Sequence, residues 1–463
     1  MVTLALYSDP ILIYAQALTE SGSNMPAKKV ITVRTAVALG IGSMVGAGIF
    51  ALMGEAAALA GSAVWLSFLM AGIIALLTGH SFVELGVRYP TRGGVVEYLV
   101  RAYGVGVFSG GCSILYYIAQ LIGMTMISMA FGKFATQLIG IEKDLVLWDH
   151  VFASGLILVL VFLTLTGSTL IGKVQKLFVM LNLVILTGFA LLLAGQSGGS
   201  MPGPESWPAA PPLFGSLALT FFAFTGFAVI SNSAEQMANP EHDLPRAMYA
   251  TILIVIVLYV GVALAVVSSV SADELQASGP MLLILAARSA FGDIGRYVLL
   301  ISAVAATITC LNGGLYGVTN ITYTLAEKGQ LPSRFMKEVR SSTRGLTISA
   351  VLALIMINFL SLTTVASLGG ATTLMVYSLV NFGALRLLKD KGLHRILVIL
   401  SVVACTTAIV IWIVHTFKTS PDSLSIFVFF LVISFVAEWL LQRLKGRKIR
   451  VGAETPGSES VSS

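Results

Sequence analysis

The sequence predicts an all-α polytopic membrane protein of about twelve transmembrane helices, arranged as a five-plus-five inverted repeat with helices one and six broken. Three observations predict it. Hydrophobic residues make up 56% of the 463-residue chain and charged residues only 11%, against about a quarter charged in soluble proteins. About a dozen apolar segments reach the roughly 20 residues that a helix needs to cross a hydrocarbon core. The first and sixth of these segments are interrupted by small residues at corresponding positions, and paired interruptions of that kind point to transporter folds built on inverted repeats.

Taken in order, residues 1–30 form a cytoplasmic tail. Its one apolar run, 11–18, is broken by Gln16 and too short to span, and it lacks the charged n-region and cleavage site of a signal peptide. Met25-Pro26-Ala27-Lys28-Lys29 reads as a more natural start than Met1, which makes 1–24 a mis-assigned upstream extension or a disordered tail. The spans then read as 35–60, 63–86, 105–138, 150–170, 174–195, 213–237, 247–271, 295–326, 346–366, 367–388, 395–417 and 422–443. Residues 31–200 make the first repeat, 201–390 the second, 391–445 the last two spans, and 446–463 a Gly/Ser/Glu-rich disordered tail. Segment 88–104 carries charges and glycines and reads as an interfacial helix, while 196–212 and 272–294 read as the long loops of the opposite side.

Twenty-three of the 28 Lys and Arg residues fall on one side of this arrangement. The positive-inside rule then puts both termini in the cytoplasm, and the chain in a plasma (inner) membrane. The basic residues follow the loops, so the net charge of +6 is no nucleic-acid signal. Cys112, Cys310 and Cys405 all lie inside apolar segments and imply no disulfide framework.

Two stretches carry chemistry. In the first span, Gly42, Ser43, Gly46 and Gly48 interrupt Ile41 to Phe50; each glycine costs about 1 kcal/mol relative to alanine in a helix interior. The sixth span holds Phe221-Phe222-Ala223-Phe224-Thr225-Gly226-Phe227-Ala228. Backbone groups freed at membrane depth must be buried in protein or face a ligand. Half-helix N-termini favour an anion, while unwound carbonyls favour a cation. Together the two breaks suit a zwitterion.

These residues resemble the amino acid–polyamine–organocation transporters. Gly42-Ser43-Met44-Val45-Gly46-Ala47-Gly48-Ile49-Phe50 is similar to the family's first-helix signature. Phe221 to Ala228, with Glu235, Asn239-Pro240 and Asp243 to Ala247, resembles the sixth helix and the loop after it. Glu84-Leu85-Gly86 with Tyr89-Pro90 and Gly93-Gly94 resembles the loop between the second and third helices, and Tyr323 to Pro332 the end of the eighth. The match runs in order from about 30 to 390. It implies an amino acid permease working by alternating access. Spans one, two, six and seven would rock against three, four, eight and nine.

By position, the resemblance gives the amides of Ala47 and Gly48 to the substrate carboxylate, and the carbonyls of Met44, Phe222 and Thr225 to its ammonium. Ser43, Gly46, Ala223 and Gly226 complete the two breaks, and Phe222 falls at the family's aromatic gate. Gly313-Gly314 falls where some relatives carry a bulky aromatic, so Gly314 leaves a roomier wall for larger or apolar side chains. A leucine at Gly48 is expected to fill the carboxylate position.

Three departures leave the energy source open. Ala228 is often acidic in relatives, Asn182 stands near a position where proton-coupled relatives often carry lysine, and Asn320 replaces arginine or serine. Sodium between spans one and eight, near Ile41, Met44 and Thr319, is one alternative. Protons through Glu84, Glu235 or His80 are a second, and solute exchange without a coupling ion is a third. No metal, cofactor or enzymatic motif is expected: there is no H-E-x-x-H and no Cys/His cluster. The expected partners are a neutral, apolar or medium-to-large amino acid and the lipid bilayer, with the chain a monomer or a homodimer. A polyamine or inorganic-cation carrier of the same fold, which would need carboxylates facing the midplane, is one alternative. An amino-acid sensor that does not transport is another.

Overall fold

The computed structural model describes residues 31–91, 93–166, 170–196, 203, 207–339, 342–388 and 392–445. The readings of 1–24 as an extension and 446–463 as a tail lie outside those residues. The described chain is helical apart from a two-residue antiparallel ribbon, Glu338–Val339 against Ser342–Thr343.

The first span begins with α1 (Val33–Met44), capped by the Thr32 hydroxyl, which accepts the Thr35 N–H. It breaks at Val45-Gly46 and resumes as α2 (Ala47–Ala60). Gly61, at φ +50°, takes the left-handed conformation and separates α2 from α3 (Val64–Arg88). The amphipathic α4 (Val95–Tyr103) follows, then α5 (Val107–Ile139), α6 (Leu145–Leu165) and α7 (Leu170–Gln196). The sixth span is built from α8 (Ala210–Gly215), α9 (Leu217–Phe224), a 3₁₀ turn at Thr225–Phe227 and α10 (Ala228–Ser231). Then come α11 (Pro240–Val267), the short α12 (Ala272–Ala277), α13 (Leu282–Glu327), α14 (Arg344–Phe359), α15 (Leu362–Leu387), α16 (Leu393–Thr419) and α17 (Pro421–Lys445).

Ten helical stretches among the described residues are long and apolar enough to cross a membrane, with Val33–Met44 and Arg344–Phe359 as shorter apolar helices. Read through the breaks, they supply the twelve crossings expected from the sequence. Both expected interruptions are present, at Val45-Gly46 and at Thr225–Phe227.

Two local expectations change. The loop 272–294 is largely helical: a capping box at Ser271 and Glu274 starts α12, and α13 is already helical from Leu282, with a kink at Gly292 (φ +65°). The boundary between spans nine and ten falls at Leu360-Ser361 rather than 366/367, because the Ser361 hydroxyl caps α15 by accepting the Thr364 N–H. Unbroken apolarity across the junction had hidden it. Segment 88–104 does form the expected helix, over Val95–Tyr103, with Val95 to Val100 buried against the bundle.

Burial of α4 brings charge inside. Glu97 is 4% exposed; its Oε1 accepts from Arg101 Nε at 2.7 Å, and its Oε2 pairs with Lys328, itself 5% exposed, just beyond α13. An isolated buried ammonium would cost several kcal/mol, so this carboxylate is what allows Lys328 to sit inside. At the start of α1, Ile31 forms a parallel bridge to Met237, its N–H donating to the Gln236 carbonyl at 3.2 Å.

Candidate functional site

The two breaks face one cavity. It encloses about 760 Å3 of atom-free space, including solvent at its mouth. Ser43, Met44 and Gly48 line it from the first span, and Phe222, Ala223, Thr225, Gly226 and Ala228 from the sixth. Gly314 lines it from α13. Eight of the ten sequence-derived binding residues therefore converge. Gly46 does not line the cavity: a Cβ there would lie 2.2 Å from the Cys310 Cβ, so Gly46 packs the break against α13. Ala47 opens α2.

The chemistry of the lining is dipolar. No Asp, Glu, Lys, Arg or His is among its residues; the polar side chains are Ser43, Tyr116, Gln120, Thr225, Asn232 and Thr373. The first amides of α2 have no acceptor within their own helix, and no side chain caps them. A helix N-terminus carries partial positive charge, so an anionic group is stabilised there.

The carbonyls of the breaks are partly occupied. Tyr259 of α11 donates its hydroxyl to the Met44 carbonyl at 2.6 Å and lies 3.4 Å from that of Ala223. Tyr377 of α15 donates to the Thr225 carbonyl at 3.1 Å. The Met44 carbonyl keeps a second lone pair, whereas the Thr225 carbonyl also accepts the Ala228 N–H and has less to offer. The Phe222 carbonyl accepts from both the backbone N–H and the hydroxyl of Thr225, so it has less to offer. Cys310 donates its thiol to the Ser43 carbonyl at 3.2 Å.

Of the four phenylalanines in the sixth-span block, Phe222 alone lines the cavity. Phe221 packs edge-on to Tyr377, Phe224 against Tyr259, and Phe227 against Phe82 and Tyr377. The Phe222 ring is pressed onto α15, where a Cβ at Gly369 would meet it at 2.5 Å, and its tip faces Gly123 of α5. Gly48 is enclosed: an added Cβ would meet the Tyr259 hydroxyl at 2.5 Å and the Ala223 carbonyl at 2.9 Å. A leucine there would wedge span one from span six, so it tests packing rather than the anion position alone.

Four of the residues considered for ion coupling lie elsewhere. Asn182 donates to the Phe178 carbonyl at 3.0 Å and accepts from Ser302, tying α7 to α13. Thr319 returns its hydroxyl to the Leu315 carbonyl at 2.8 Å. Glu84 accepts from His394, and Glu235 sits in a 3₁₀ turn beyond α10. None of the four lines the cavity.

Residues 31–438 match the family described as "Amino acid permease". The chain belongs to the amino acid permease family. That places it among the amino acid–polyamine–organocation transporters, as its motifs suggest, and as an integral multi-pass membrane protein. It is 31% identical over 417 residues to "Inner membrane transport protein YbaT" of Escherichia coli, covering 88% of this chain and 95% of that one. It is 28% identical over 339 residues to "Serine/threonine exchanger SteT" of Bacillus subtilis, covering 71% and 76%. It is also 28% identical over 382 residues to "Cationic amino acid transporter 3, mitochondrial" of Arabidopsis thaliana, covering 76% and 61%. These family and relative names describe transporters, not enzymes.

Sequence reasoning missed Tyr116 and Gln120 of α5, Asn232, Thr373 of α15, and the tyrosines 259 and 377. All stand in or beside ordinary helix sequence, with no local irregularity to single them out.

Proposed function

We propose that this membrane protein is a secondary transporter of neutral amino acids, working by alternating access. The observation that carries the reading is a cavity between two helix breaks whose lining, among the described residues, holds no Asp, Glu, Lys, Arg or His. A zwitterion can set its carboxylate on the α2 amides of Ala47 and Gly48, and its ammonium against the carbonyl of Met44. The side chain then points toward Gly314, Met124 and Ile127. Phe222 closes over it as the gate.

The repeats 31–200 and 201–390 supply one broken helix each, and rocking of spans one, two, six and seven would expose the cavity to each side in turn. The count of basic residues favours both termini in the cytoplasm. A cationic substrate, suggested by the name of the Arabidopsis relative, would find no carboxylate in the lining.

The test is counterflow into liposomes holding the purified protein, with and without imposed proton or sodium gradients. Labelled leucine or serine should accumulate against trapped unlabelled substrate, while arginine and glutamate stay at background. Arginine counterflow equal to that of leucine would overturn the neutral class. Dependence on one gradient would name the coupling ion.

Gly314 offers a sharper readout. A Cβ there would make only an ordinary contact, 3.5 Å from Met124 Cγ, so a larger side chain grows into the cavity without moving backbone. Gly314→Trp should cut transport of leucine at least about tenfold relative to alanine, in line with overpacking costs of about 1–3 kcal/mol. Equal losses for both substrates would remove Gly314 from the side-chain wall.

A further inference from the structure

Away from the central cavity, α3 and α16 bring together the only group of three or more His, Cys, Asp or Glu side chains among the described residues that could hold a metal ion: His80, Glu84 and His394. His80 and Glu84 are four apart on one helix and share a face, a half of the group visible in the chain. The other half is not, because His394 lies 310 residues from Glu84. We propose that these three side chains form a binding site for a divalent transition-metal ion of the zinc type.

The geometry fits such an ion. One donor atom from each residue lies within 4.8 Å of the others. Glu84 Oε1 is 2.9 Å from His394 Nδ1 and 3.9 Å from His80 Nε2. Zinc bonds nitrogen and carboxylate oxygen at about 2.0–2.2 Å in tetrahedral sites, which sets ligand atoms about 3.3 Å apart. The two observed separations straddle that value, and small side-chain rotations bring both onto it. Two imidazoles and one carboxylate are a ligand set zinc accepts, with a fourth position left for water. Imidazole donors also suit nickel and copper.

The second observation is an orphaned atom. His80 is 5% exposed, and its Nε2 is buried with no hydrogen-bond partner. Leaving a buried polar atom without a partner is costly, so it calls for an occupant. The other ring nitrogen, Nδ1, is bonded to the Tyr249 hydroxyl at 2.7 Å. Metal-bound histidines are held in this way, with the second nitrogen fixed by an outer partner that sets the tautomer. Binding selects the form with the proton on Nδ1 and the Nε2 lone pair facing the ion. His394 is the adaptable ligand: its side chain is 63% exposed in the first turn of α16. Glu84 and His394 also line a small cavity beside the cluster, together with Arg395.

The experiment uses the full-length protein in detergent, stripped with chelator and titrated with zinc by calorimetry, then with cobalt by visible absorption. Wild type should bind one zinc ion per chain, and cobalt should give the absorption bands of nitrogen–oxygen coordination. His394→Gln removes an exposed ligand without disturbing the core and should weaken zinc binding by at least about 10–100-fold, the range that loss of even an outer partner produces. Tyr249→Phe should weaken it by a smaller factor with the stoichiometry unchanged. Equal zinc affinity in wild type and His394→Gln, or cobalt bands that persist in that variant, would overturn the proposal. Neither readout depends on transport, so failure of the transport reading would leave this test intact.

Discussion

Glu97→Gln is expected to destabilise the protein by about 3–5 kcal/mol, the usual cost of removing one partner from a buried ion pair. Glutamine keeps the size of the side chain, so the loss is electrostatic. Lys328 is left charged and 5% exposed, with Arg101 beside it and no anion between them. The element at stake is α4, whose inward face is apolar but which is held to the end of α13 through this carboxylate. Thermal unfolding of the purified protein should show a melting temperature several degrees lower. Adding Lys328→Met should restore most of it, because the orphaned charge goes while the aliphatic stem stays. An unchanged melting temperature for the single variant would show that Lys328 reaches water when Glu97 is neutral.

The second large effect is expected at Gly226. A methyl group there would lie 2.6 Å from the Ser43 carbonyl oxygen, 2.7 Å from its carbon and 2.9 Å from the Met44 nitrogen. These are backbone atoms at the break of span one, and no side-chain rotation relieves them. Gly226→Ala should therefore push the two breaks apart, at a cost in the 1–3 kcal/mol range of overpacking, and lower amino acid counterflow at least about tenfold. Gly261→Ala is the control, since nothing lies within 4 Å of a Cβ at that position of α11. Transport by Gly226→Ala within twofold of wild type would mean that the breaks need not touch.

Much of this site is legible in the chain before any coordinates, and the reason is local. Glycine in a membrane helix is costly, so Gly42, Gly46, Gly48 and Gly226 mark their positions without tertiary information. The cradle's supports are legible only in three dimensions. Tyr259 and Tyr377 sit in regular helical sequence, and what makes them matter is a hydroxyl reaching the carbonyl of another span. Gln120 and Thr373 line the cavity from α5 and α15 for the same non-local reason. Among four nearly adjacent phenylalanines, helical spacing could not say which one faces the cavity; partners at Tyr377, Tyr259 and Phe82 settle three of them. The expected loop at 272–294 failed differently: its capping box was written in Ser271 and Glu274 but outweighed by its charged, glycine-bearing composition.

The hydroxyls of Tyr259 and Tyr377 have a kinetic consequence. With the cavity empty, the carbonyls at Met44 and Thr225 are already solvated from within the protein, by fixed groups that cannot diffuse away. On the proposed mode of binding, an incoming ammonium would gain only the difference between its own bond and what that resident donor already supplies. A guest held by a difference is held loosely, and its dwell time is short. For a device that must hand its cargo on, quick release is worth more than a tight grip, and these two hydroxyls supply it without a moving part.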